Sequence, residues 1–387
     1  MTEDLPPNPA LLPSGFRDVL PPEAEAEALA VETLMGVFAA HGYQRVKPPL
    51  LEFEEGFLSG AGGALAEYTF RLMDPQSHRM MALRSDTTPQ VARIAATRLA
   101  DAPRPLRLSY AGQCLRVRAS GLSADRQIAQ AGIELIGADS PAADAELVLI
   151  AAEALAALGL QAVSFDLTLP PFIPALLAES GIEENGRAEL AHALDRKDAA
   201  AVREFGGALA PVLIALLHAA GPAPRALEAL RAAPLPEGAR GQAERLAATV
   251  ALIESEAARR GLGSLRLTID PVEFRGYRYH TGLSLTVYGL ATAEELGRGG
   301  RYVGPSGEPA AGVTLYPDAI MRAAPRRPPR PRVYLAASAD PGTARALRLQ
   351  GYATLAALGE EEEVAAARRL GCGFVLRGSE LIPLEAD

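Results

Sequence analysis

The chain has 387 residues and a formal net charge of −9. That balance argues against nucleic-acid binding driven by a global basic surface, and no apolar run reaches the ~18 residues of a membrane span. Two cysteines far apart, Cys114 and Cys372, and histidines without metal-ligand spacing point to a reducing, cytoplasmic setting with no metal and no cofactor.

Residues 1–12 are Pro-rich, and Gly15 to Glu23 forms a turn that can start a helix. Ala24 to Ala40 has an apolar stripe of Leu29, Leu34, Val37 and Phe38 and predicts a helix, stopped by Gly42. Val46 to Phe53 reads as a strand interrupted by Pro48 and Pro49, so it belongs at an edge or a subunit boundary. Tyr68 to Leu72 and Met80 to Leu83 read as short strands around a turn at Asp74–Pro75. Thr88 then serves as N-cap and Pro89 as the first residue of a helix. Asp86, just ahead of it, suits capping; holding a cationic ligand group is its functional alternative.

Leu106 to Gly137 reads as two strands joined by a polar loop, Ala119 to Asp125. Alternation puts Cys114, Arg116 and Arg118 on one face of the first, and Ile128, Gln130, Gly132 and Glu134 on one face of the second. Such polar groups on otherwise apolar strands need partners. They fit either a salt-bridged hairpin with one wet face or a ligand site.

Ser140–Pro141 starts a helix through about Leu158, and Val163 to Leu169 is a strand. Residues 171–262 read as a helical insertion in which acidic residues outnumber basic ones. Strands return at Leu265 to Ile269 and Leu283 to Tyr288, flanking VEFRGYRYHTG. Gly297 to Tyr302, GRGGRY, lacks Walker or Rossmann spacing and reads as a turn. Ala311 to Leu315 is a strand running into a short helix at Asp318. The Pro/Arg stretch Ala324 to Arg332 is the clearest boundary. Residues 1–322 therefore form a core, 323–332 a linker, and 333–387 a small α/β domain of strands and helices in alternation.

The ordered segments GFRDVLPPE, HGYQRVKPPLLE, LRSDTTPQVAR, the 106–137 hairpin, EFRGYRYHTG and GRGGRY resemble the catalytic core of the histidyl-tRNA synthetase family over roughly residues 13–322. The resemblance implies an α+β, class II synthetase-like fold: an antiparallel sheet flanked by helices, dimeric, with a helical insertion. It implies a histidine-like ligand pocket of Asp86, Thr88, Arg116, Gln130, Glu134, Arg275, Tyr279 and His280. Pro49 matches the dimer-interface proline. His280 stands where the family has a pocket tyrosine.

Three departures count against ligase chemistry. Arg118 replaces the carboxylate of the family's Arg-x-Glu, Ala124 falls on a loop arginine, and Ala319 on the arginine that grips ATP phosphates, with Tyr316 replacing a glycine. Losing one such fixed donor typically costs about 3–4 kcal/mol in a transition state. The variants present are similar instead to a non-catalytic branch, the regulatory subunits of ATP phosphoribosyltransferase. That branch implies a short-form catalytic subunit as partner, a homodimer through the core, feedback by free histidine, and no tRNA. The alternatives are a divergent histidine–tRNA ligase and a free-standing histidine sensor.

Overall fold

The computed structural model describes residues 10–58, 60–119, 124–178, 180–263, 265–273, 280–325, 328–359 and 361–385. The chain divides into two units, Met1–Pro325 and Arg326–Asp387.

The first unit opens with α1 (Glu23–Ala40), β1 (Gln44–Arg45), β2 (Leu51–Phe53) and the one-turn α2 (Glu54–Phe57). Then come β3 (Arg71–Met73), β4 (Met80–Leu83), α3 (Thr88–Thr97), β5 (Leu106–Leu115), β6 (Gln127–Ile136), α4 (Pro141–Ala157) and β7 (Val163–Thr168). A helical stretch follows: α5 (Phe172–Ala178), α6 (Glu184–Asp195), α7 (Ala199–Phe205), α8 (Ala210–Ala219), the two-residue β8 (Gly221–Pro222), α9 (Ala223–Ala232) and α10 (Glu237–Arg259). The unit closes with β9 (Arg266–Asp270), β10 (His280–Gly289), β11 (Glu295–Val303), β12 (Pro309–Leu315) and α11 (Pro317–Ala323).

A nine-stranded sheet in the order β1-β5-β6-β12-β11-β10-β7-β9-β8 is the frame. It is antiparallel from β5 to β7, and parallel pairs join β1 to β5 and β7 to β9. This is the α+β architecture expected: an antiparallel sheet with helices on both faces. Alternation decides what each face meets. Ala131, Ile133 and Leu135 of β6 and Ala311, Val313 and Leu315 of β12 join Leu34 and Phe38 of α1 and Val148 and Leu155 of α4 in the main core. The other face packs Val91, Ala92 and Ala95 of α3 against Leu108, Tyr110, Tyr302 and Ala310. α4 is capped as its sequence suggests, with Ser140 Oγ accepting from the Ala143 N–H at 3.2 Å and Pro141 in the first turn.

Four local expectations are corrected. The strand expected over Val46 to Phe53 is not continuous: β1 ends at Arg45, just before it, and only Leu51–Phe53 is a strand, in a different sheet. Val46 N–H still donates to Ser109 O at 2.8 Å beside β5, but Pro48 and Pro49 have no N–H to continue the ladder. The chain leaves, and β2 joins a separate three-stranded sheet, β2-β4-β3. GRGGRY is not a turn: it lies inside β11. Its glycines are there because the neighbouring strands come too close for a side chain. A Cβ on Gly299 would overlap Gly312 O, and one on Gly300, at φ +155°, would stand 2.8 Å from Leu283 O. The N-cap of α3 is Thr87, not Thr88, which moves Pro89 one position inward. β5 ends at Leu115, so Arg118 lies beyond the ladder rather than on its alternating face, while Arg116 N–H still donates to Arg126 O at 2.7 Å.

The second unit contains β13 (Arg332–Leu335), α12 (Pro341–Leu349), β14 (Ala353–Ala356), α13 (Glu363–Arg369), β15 (Phe374–Arg377) and a strand the sequence reading did not include, β16 (Glu380–Pro383). Its sheet runs β14-β13-β15-β16. Val333, Leu347 and Leu376 form a core on one side, and Tyr334, Ala367 and Val375 on the other.

Candidate functional site

The sheet face covered by α3 carries a closed polar network between β6, β11 and the start of that helix. Gln130 and Glu134, four positions apart on β6 and so on one face, are both 0% exposed. Gln130 Oε1 accepts from Thr87 N–H at 3.0 Å, Thr87 Oγ1 at 2.9 Å and Cys114 Sγ at 3.2 Å. Its Nε2 donates to Asp86 Oδ2 at 3.0 Å. Asp86 Oδ1 accepts from Thr88 N–H at 2.9 Å, so this carboxylate both caps the helix start and faces the network.

Glu134 is held from both sides. Thr88 Oγ1 donates to Oε1 at 2.7 Å and Tyr302 OH to Oε2 at 2.9 Å. Tyr110 OH lies 3.3 Å from Thr88 Oγ1 and 2.6 Å from Thr314 Oγ1. Space for the carboxyl comes from Gly312, its register partner on β12, where a Cβ would overlap it. Burial pushes the Glu134 carboxyl up to about 8, against the lowering effect of the Thr88 and Tyr302 hydroxyls. At neutral pH it therefore carries a proton and can donate as well as accept. Burial likewise raises the Cys114 thiol to about 12, which makes it a packing and hydrogen-bonding group rather than a nucleophile.

His280 opens β10 opposite Tyr302. It is 7% exposed, and burial lowers it to about 3, so its ring is neutral. A Cβ on Gly300 would meet its ring at 2.9 Å.

Arg116 is half-buried and donates from Nε to Ser85 O at 3.3 Å, which ties it to the residue before Asp86. Its charge reaches Glu295 and Tyr316. Glu295 pairs with Arg298 at 2.5 Å; burial raises its carboxyl to about 7, and the Arg116 charge opposes that rise. Burial raises the Tyr316 phenol to about 12. Ala319, on α11, is buried, while Arg118 and Ala124 are exposed. The cation field on this side is thus partly cancelled by Glu295 and has no side-chain donor at 319. Fixed donors around a transferring phosphate are what adenylate chemistry needs; this arrangement provides recognition groups without them.

Asp86, Thr88, Gln130 and Glu134 are brought into one network, with Arg116 beside it and His280 on the adjoining strand. Arg275 and Tyr279 lie outside the described residues. Pro49 is exposed, and its carbonyl accepts from Gln90 Nε2 at 2.8 Å. Sequence reasoning missed Tyr302, Thr87 and Tyr110. Tyr302 had a signal: read as a strand, GRGGRY places its tyrosine on the same face as Gly300.

The model of the family described as histidyl-tRNA synthetase matches residues 15–320. The chain is 55% identical to the ATP phosphoribosyltransferase regulatory subunit of Gluconobacter oxydans, over 98% of each chain. It is 52% identical to the protein of that name from Paramagnetospirillum magneticum, over 100% of each. A solved structure described as an ATP phosphoribosyltransferase regulatory subunit/histidyl-tRNA synthetase from Bacillus halodurans superposes with a TM-score of 0.78. It covers 95% of this chain and 98% of its own at 23% identity. The histidyl-tRNA synthetase of Nostoc sp. gives 0.75 at 19% identity, over 94% of this chain and 90% of its own.

Proposed function

Because the chain belongs to the histidyl-tRNA synthetase family, and within it to the regulatory subunits of ATP phosphoribosyltransferase, we propose that it assembles with a short-form catalytic subunit, is required for that subunit's activity, and senses free histidine through the pocket on the α3 face. The role is regulatory rather than catalytic. It belongs to the first step of L-histidine biosynthesis, in the cytoplasm, and involves no tRNA.

One observation carries the reading: Asp86, Gln130 and Glu134 are held in a buried, hydrogen-bonded network, while position 319 holds a buried alanine where a phosphate grip would be needed. A carboxylate suits a ligand ammonium, Arg116 suits a ligand carboxylate, and Glu134 with Tyr302 suits an imidazole. Arg275, Tyr279 and His280 complete the proposed pocket. Regulation requires that histidine bind two assembly states with different affinity.

A homodimer through the core is part of the proposal. Support comes from exposed Pro49 beside Leu50, and from Phe53, Leu72, Met73 and Met80 exposed on the small sheet β2-β4-β3.

The test mixes the purified chain with a short-form catalytic subunit. Co-elution and a gain of phosphoribosyl-ATP synthesis are expected. Absence of both removes the regulatory reading. Histidine-dependent ATP–pyrophosphate exchange by the chain alone would establish the ligase reading instead. Calorimetry with histidine on the wild type, Asp86→Asn and Glu134→Leu separates the pocket from other sites; equal binding by all three places histidine elsewhere.

A further inference from the structure

The opposite face of the sheet has a second polar site. Arg301, the neighbour of Tyr302 on β11, points the other way and is 5% exposed. Its Nε and Nη2 donate to Asp144 Oδ1 at 3.0 and 2.6 Å, and its Nη1 to Ala138 O at 2.9 Å. Asp144, on α4 and 1% exposed, takes Arg245 of α10 on its other oxygen, from Nε at 3.3 Å and Nη2 at 3.1 Å. Asp139 lies 2.7 Å from Arg245 Nη2 and 3.4 Å from Arg301 Nη1. Two carboxylates thus meet two guanidinium groups, and the cluster is neutral.

Beside it, between α10 and the strands β10 and β11, is a cavity of about 300 Å³. Leu169, Leu246 and Leu283 give it an apolar wall, and Gln242 and Arg245 a polar one. Gln242 Oε1 is buried there and has no hydrogen-bond partner among the described residues. A buried acceptor left unmet costs about 1–3 kcal/mol. The bonds from Arg245 to the two aspartates use Nε and Nη2, which leaves Nη1 outside them. The cavity therefore offers one unmet acceptor and spare cationic donors, within a lining of balanced charge.

We propose that this cavity binds a free amino acid as its zwitterion. The ligand ammonium donates to Gln242 Oε1 and faces Asp139. The ligand carboxylate accepts from Arg245 Nη1. The side chain lies on Leu169, Leu246 and Leu283. Balanced lining charge disfavours a net ion, and the volume stands at the lower end for ligand sites. The sheet separates this site from the pocket of Asp86 and Glu134, so the two can be tested apart.

The experiment uses the full chain and ligand-observed NMR with the standard amino acids, plus acetate and methylammonium as half-ligand probes. It compares the wild type with Gln242→Leu, Arg245→Lys and the opposite-face variant Asp86→Asn. The expected result is an amino acid that still binds Asp86→Asn but binds Gln242→Leu about tenfold more weakly, as one lost hydrogen bond predicts. Acetate alone should bind weakly and lose binding in Arg245→Lys. Circular dichroism establishes that each variant is folded; should Gln242→Leu fail, the Arg245→Lys titration and ligand density in the cavity of a soaked crystal decide. The proposal is overturned if no amino acid binds Asp86→Asn, if binding is untouched by the substitutions at 242 and 245, or if the cavity holds water only.

Discussion

Gly312 and Glu134 are opposite one another on β12 and β6, and the missing side chain of the first makes room for the carboxyl of the second. The most deeply buried acid of the candidate pocket therefore depends on a glycine far away in sequence.

Gly312→Ala should turn the Glu134 carboxyl out of its place and break its bonds to Thr88 and Tyr302. A loss of about 1–3 kcal/mol is expected from overpacking and unmet polar groups, read as a shift in the urea midpoint. In a Glu134→Ala background the same substitution should cost much less, because the overlap is gone. Equal costs in the two backgrounds would count against the account.

Stability should depend on pH through two groups of opposite sign. Glu134 titrates at about 8 in the folded chain and ordinarily near 4.5. Between those values the folded state holds a proton that the unfolded state has lost, so stability falls as pH rises through that window. His280 titrates at about 3 in the fold against 6.5 ordinarily, so its contribution is lost as pH falls from 6.5 towards 3. Above 6.5 the acids act without it, with Glu295, raised to about 7, adding to the same slope at its lower end. Glu134→Gln, which mimics the protonated acid, should flatten the decline between pH 6.5 and 8. Denaturant midpoints across this range check it; an unchanged slope would show that Glu134 is not the group responsible.

Asp144→Asn should be severe. It leaves buried Arg301 with only the exposed Asp139 as counter-charge and takes one partner from Arg245, and breaking a buried pair in this way typically costs about 3–5 kcal/mol. Asp139, 56% exposed, contacts the same two arginines. Asp139→Asn should cost no more than about 1 kcal/mol, because solvent screens it. Unfolding midpoints of the two variants test the contrast.

The residues between the two units should be cut first by trypsin. Residues 328–331 are exposed and carry no regular structure, and each unit has its own apolar clusters. Cleavage after Arg326 or Arg332, the Arg330–Pro331 bond being resistant to trypsin, should yield two fragments that keep their far-ultraviolet circular dichroism. Loss of structure in the larger fragment on cleavage would show that its core needs residues beyond Pro325.

The hairpin was legible because period-two alternation acts directly on side-chain direction: Gln130 and Glu134 share a face, and that face is polar. Arg118 was misplaced because alternation says nothing of where a ladder stops. GRGGRY was misread because glycine signals turns when chain context is local, whereas here each glycine answers to strands distant in sequence. The same error hid Tyr302. Thr87 was passed over for Thr88 because both suit a helix start, and the choice is made by Gln130, a contact no local pattern encodes.

Arg301 and Tyr302 are consecutive, yet one reaches Asp144 through one face of the sheet and the other reaches Glu134 through the opposite face. A slip of β11 by one residue would exchange them. A guanidinium would then press on the Glu134 pocket, and buried Asp144 would keep only Arg245 as its cation. Misassembled chains are thereby penalised on both sides of the sheet at once. The adjacent pair thus makes the alignment of β11 costly to change, quite apart from anything the pocket binds.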